Sequence, residues 1–212
     1  MPEYIYSASY ERPGTPPRPG DQAIRSSLAA LEFTHARIPV VEELLEAFRT
    51  QFIHGGAVAA RFTITGADGT YRWFAALDRF DSSQGYDLAT RFLASDSFRR
   101  ALPEVDPPGS VGAQRLEGAV FERVRPVEFD GELAAWLLEG GVLEKVPIAA
   151  SEAKRIGIDA VSELISDRYE AFTIYRTVTS WAHWFSDLLC ATWLIIDRER
   201  DVVTVLCVTD SD

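Results

Sequence analysis

Two apolar runs near the C-terminus, residues 192–197 and 202–208, constrain the fold most. Only the polar stretch Arg198-Glu199-Arg200-Asp201 separates them. Runs rich in Val, Ile, Thr and Trp, joined by a short charged link, read as a β-hairpin. A domain built on such a hairpin needs further strands and helices.

The remaining pattern supplies both. Ala60, Phe62 and Ile64 alternate with polar neighbours, Gly66-Ala67-Asp68-Gly69 turns the chain, and Tyr71, Trp73, Ala75 and Leu77 alternate beyond it. That predicts another hairpin. Residues 119–124 and the trio Phe172, Ile174 and Tyr175 suggest further strands. Helical spacing places Ile24, Leu28 and Leu31 on a helix over 21–36. Pro39 opens a second helix with the stripe Val41, Leu44, Leu45, Phe48 and Phe52, closed by Gly55-Gly56. Leu88, Phe92 and Phe98 mark a helix over 86–102 that stops at Pro103. Residues 129–138 and 151–165 read as helices, the latter with Glu152, Arg155, Asp159 and Glu163 on its outer face. Trp181, Trp184, Phe185 and Leu188 have the spacing of one or two helical turns.

The order helices, hairpin, helix, strand, helices, hairpin lacks regular βαβ alternation. It predicts an α+β fold, with a largely antiparallel sheet and helices packed mainly on one face. Residues 1–20, with Pro13, Pro16, Pro17 and Pro19, read as a Pro-rich arm whose Tyr4, Ile5 and Tyr6 could add an edge strand. Residues 21–212 read as a single domain.

With 47% apolar residues in 212, a core can form without disulfides or metal. Cys190 and Cys207 both lie in apolar runs and read as buried thiols, with a bridge between them open if those runs pair. The N-terminus lacks a secretory pattern, and no apolar run approaches the roughly 20 residues of a membrane helix, so a cytoplasmic protein is expected. The net charge is −11. Such a field disfavours nucleic acid and anionic lipid and favours basic partners, although it also serves plain solubility. The acidity is uneven: residues 128–170 hold ten acids against four bases.

Glycine spacing fits neither a Rossmann fingerprint nor a P-loop. His35, His54 and His183 have no metal-ligand spacing, so neither a cofactor nor a metal is expected. His183, Asp187 and Cys190 could line one helical face as a hydrolase or transferase group; a buried thiol near a partly exposed histidine would look the same. The C-terminal segment offers a different set. Trp181, Trp184, Asp187, Asp197, Asp210 and Asp212 combine rigid aromatic area with charge, and Glu139, Glu144 and Asp159 supply a second acidic surface. Anchors ringed by acids suit a binder of a basic surface, and the same tryptophans equally suit a core.

The stretch FDGELAAWLLEGGVLEK, an amphipathic helix, W-x-x-W-F-x-D, and a final strand ending T-D-S-D resemble small acidic bacterial immunity proteins that accompany polymorphic or contact-dependent toxins. The likeness covers residues 129–212. It implies a non-catalytic cytoplasmic inhibitor that occludes a toxin's active site, without revealing which toxin. The acidic charge, which can mimic phosphate, separately makes a basic toxin domain the expected partner and a nuclease the natural candidate. A regulatory homodimer, built through an exposed edge strand of the C-terminal hairpin, is the alternative.

Overall fold

The computed structural model describes residues 19–38, 41–72, 88–105, 116, 119–143, 145–185 and 188–211. The C-terminal hairpin is its centre. Strands β5 (Leu189–Asp197) and β6 (Val202–Asp210) pair antiparallel over their full length, with Leu189 opposite Asp210 and Asp197 opposite Val202. Outward from β6 lie β2 (Gly56–Thr65) and then β1 (Glu32–Ala36); outward from β5 lie β4 (Phe172–Thr177) and then β3 (Glu122–Val124). The order β1-β2-β6-β5-β4-β3 gives six antiparallel strands among the described residues. This is the α+β, antiparallel architecture the sequence predicts, but the helices cover both faces of the sheet instead of mainly one, because the central strands are apolar on both sides. Because both strands of the C-terminal hairpin are paired on each side, neither offers the free edge invoked for a homodimer.

Burial explains the central position. Every residue from Cys190 to Asp197 and from Val203 to Asp210 is buried. Strands apolar on both faces need helices on both faces. The three longest helices, α2 (Glu42–Gln51), α5 (Phe129–Glu139) and α6 (Ala150–Ile165), cover one face, over Trp193, Ile195, Leu206 and Val208. The shorter α1 (Asp21–Ala29), α3 (Leu88–Leu93) and α4 (Asp96–Ala101) cover the other, over Leu194, Ile196, Val203, Val205 and Cys207. Gly157 lets α5 and α6 approach closely, since a Cβ there would stand 2.4 Å from the Asp130 carbonyl oxygen. Among the described residues no helix is long and apolar enough to cross a membrane.

Several elements differ from expectation for local reasons. The first helix ends at Ala29, and residues 32–36 become β1, with Phe33 buried between exposed neighbours and paired to Ile64. β1 therefore takes the place beside β2 that the sequence gives to residues 71–77; Tyr71 and Arg72 are helical, the Arg72 amide donating to Asp68 O at 3.0 Å, and residues 73–77 lie outside the described set. The expected 86–102 helix is two, because Ser95 caps α4 by accepting the Phe98 amide at 3.2 Å. The segment at Trp181–Phe185 is a turn, without helix. Residues 1–18 of the arm lie outside the described set.

Candidate functional site

The hairpin β5–β6 carries a buried aspartate at each end, on the face covered by α2, α5 and α6. Asp197 closes the turn. Its carboxylate accepts a bidentate pair from Arg168, Nη1 and Nη2 both at 2.9 Å, and the backbone amides of Glu199 and Arg200 at 3.2 and 3.1 Å. Only 1% of Asp197 is exposed. The hydrogen bond from Asp197 raises the Arg168 guanidinium above its ordinary value, against a desolvation effect in the other direction. Burial lowers Arg61 nearby, partly offset by the same Asp197 charge. Asp201 completes the turn with φ of 52°, a conformation that aspartate tolerates better than most residues, and accepts the Ile64 amide at 2.7 Å.

Asp210, at the other end, is fully buried and is held differently. Its Oδ1 accepts the His54 amide at 3.0 Å, and its Oδ2 accepts the Val142 amide at 2.7 Å. Its backbone pairs with Leu189. Two loops thus converge on one carboxylate, the α2–β2 link through His54 and the α5–α6 link through Val142, at the strand end where β6 pairs with the start of β5. Ser211 adds a hydroxyl bond to His54 O at 2.6 Å. Gly55 is required at this junction, because a Cβ there would stand 1.9 Å from Thr209 O. Gly140, with φ of 68°, releases α5 into the loop that reaches Asp210.

These fastened loops expose apolar side chains to solvent. Ile53 precedes the His54 amide, Val142 donates the second bond, Leu143 follows it, and Leu188 precedes β5; they are 44%, 38%, 62% and 57% exposed. Leu138, near the C-terminus of α5, is also exposed, beside Glu139. Loop positions are usually polar, so exposed apolar residues on segments partly tied to Asp210 make this end of the sheet a candidate contact rim.

The residues singled out from sequence are dispersed. Trp181 is fully buried, its indole N–H donating to Thr192 Oγ1 at 2.9 Å, and Trp193 is buried with its indole on Glu132 at 2.6 Å. Trp181 is therefore core and presents no contact area. Asp197 and Asp210 are buried fasteners and leave the set of surface acids. Trp184 is half-buried, packed edge-on against Phe185 with its ring against Gly56. Glu139 and Asp159 are exposed, and Asp159 is bonded to Arg155 at 2.7 Å on the outer face of α6. Asp187, Asp212 and Glu144 lie outside the described residues. No family model, curated protein or solved structure matches this chain.

The thiol candidates sit in the sheet. Cys190 is buried, its thiol directed at Val178 O at 3.4 Å, whereas His183 is exposed. Cys190 and Cys207 are both free, although their strands pair. Burial pushes the Cys207 thiol up to about 12, far from the thiolate a nucleophile needs. Among the described residues no group of three or more His, Cys, Asp or Glu is placed to hold a metal ion.

The rim residues Ile53, Val142, Leu143 and Leu188 escape a reading by period. Leu188 fits a helical stripe with Trp181 and Trp184, and Ile53 trails the apolar stripe of α2. The available signal is Gly140-Gly141-Val142-Leu143, where branched apolar residues follow a helix stop in place of polar loop residues.

Proposed function

We propose that this chain is a non-catalytic binding protein of the immunity type, which seats the Asp210 end of its sheet on a basic partner domain and blocks it. The observation that supports the reading is the convergence of two loops on one buried carboxylate at the start of β5, with Ile53, Val142, Leu143 and Leu188 exposed on the flanking segments. A rim pre-set by backbone bonds loses little entropy on docking, which favours slow release. The net charge of −11, with Glu139 beside the rim, speeds encounter with a positively charged groove such as that of a nuclease.

The test identifies a basic toxin domain by pull-down with this chain and co-expresses the two. Wild type should restore growth and co-purify with that domain at one to one. Leu143→Asp with Leu188→Asp should abolish both while the variant stays folded by circular dichroism. Full protection by the folded double variant would end this reading. So would a mass by light scattering that rises with concentration in the absence of a partner and falls in the variant, since a second copy would then occupy the rim.

A further inference from the structure

A second surface differs from the rest of the molecule in charge and shape. Among the described residues, strand β1 is an edge strand, paired only to β2. Which of its groups face outward follows from the register. Ile64 donates its amide to Asp201 on the β6 side, so even-numbered residues of β2 bond toward β6 and odd-numbered ones toward β1. Their partners Glu32, Thr34 and Ala36 therefore point inward, and Phe33 and His35 turn their N–H and C=O groups outward. Beside this edge, on the side of α1, α3 and α4, runs a groove of about 310 Å³ lined by Phe33, Thr34, His35, Ser97, Arg100 and Ala101.

The groove is cationic in an acidic protein. Arg100 is exposed, donates to Ser97 Oγ at 3.3 Å and has no carboxylate partner among the described residues. His35 lies edge-on against Phe62 and remains exposed, which fixes the imidazole beside the strand edge. Thr34 and Ser97 add hydroxyls. An edge that offers backbone donors and acceptors, walled by a helix and carrying a cation, fits an extended chain added as a strand, with alternate side chains falling into the groove.

We infer that β1 and α4 form a receptor groove for an extended acidic segment of another protein, which adds antiparallel to β1 and sets a carboxylate on Arg100. This site is independent of the Asp210 rim and prefers ligands of the opposite charge. Elsewhere the net negative field repels such a segment, so it is directed to this groove.

The test uses three fluorescein-labelled hexapeptides on the full chain: Thr-Glu-Val-Glu-Val-Thr, its Lys-for-Glu counterpart, and the Glu peptide N-methylated on alternate amides. The Glu peptide should bind with a dissociation constant below about 1 mM and shift the amide resonances of Phe33, Thr34, His35 and Arg100. Arg100→Gln should weaken it about tenfold, the effect of one lost charge-assisted bond, and N-methylation should abolish binding. Equal binding of the Lys peptide, no loss on N-methylation, or shifts confined to other surfaces would overturn the inference. Absence of Glu-peptide binding at millimolar concentration would do the same. Arg100→Gln is a surface change, and Thr34→Pro, which leaves the outward amides in place but disrupts the edge, provides a second variant with the same expected loss.

Discussion

The two ends of the β5–β6 hairpin solve one problem in opposite ways. Each has a buried aspartate. Asp197 meets a guanidinium and two amides; among the described residues, Asp210 meets two amides and no side-chain cation. The first arrangement locks one turn and its neighbouring segment through a charge pair. The second ties together loops that are distant in sequence. A charge pair stabilises locally and is weakened by solvent near Arg168, which is 25% exposed. A carboxylate shared between backbone amides fixes geometry over a wider area, which suits a contact surface.

That contrast is open to measurement. Asp210→Ala should cost the most, about 3–4 kcal/mol in urea unfolding, because it strands two buried amides and frees two loops. Hydrogen exchange at the His54 and Val142 amides should then accelerate while that at the 197–201 turn stays slow. Arg168→Met should cost less, about 2 kcal/mol, since Asp197 keeps the Glu199 and Arg200 amides. A larger loss from Arg168→Met than from Asp210→Ala would reverse the comparison.

The third effect is alkaline and belongs to the Asp197 end. Burial, then the Asp201 charge, raises the Tyr71 phenol above its ordinary value of 10.0. A raised acid contributes stability in full below the unfolded value and loses it as pH climbs past that value. Wild type should therefore lose up to about 1 kcal/mol between pH 8 and pH 10.5 relative to Tyr71→Phe, measured by urea unfolding at both pH values. Asp68 works in the other direction: the Ser27 hydroxyl and the Tyr71 amide lower its carboxyl, so that its contribution is present above the ordinary 3.8 and fades as pH falls. The smallest effect on stability is expected from Leu143→Asp, within about 0.5 kcal/mol, even though it should remove partner binding altogether.

The centre of this fold was legible because its signals were local. The C-terminal hairpin and helices α5 and α6 follow from period, and the end of α5 from the stop at Gly140. The periphery was less so. β1 is five residues directly after a helix, and the register with β2 that makes it a strand depends on a partner some thirty positions away. The site suffered from a different ambiguity. Trp and Asp near a C-terminus look alike whether they face a partner or the interior, and here Trp181, Asp197 and Asp210 turned inward. Their partners, Thr192 for Trp181, Arg168 for Asp197 and the His54 and Val142 amides for Asp210, distinguish these cases, and those pairings depend on distances in space.

The strand order also sets a timetable for synthesis. A ribosome makes β1 and β2 early and β3 and β4 later, yet these two pairs never touch; the strands that join them are the last of the six to emerge. Until then each half has an open inner edge and an uncovered apolar face, the kind of nascent surface that chaperones recognise. Long-range closure of this sort slows folding. The molecule therefore depends on a late event, the zipping of β5 and β6 between two waiting halves, and the tie from Asp210 to His54 and Val142 forms only once that event is complete.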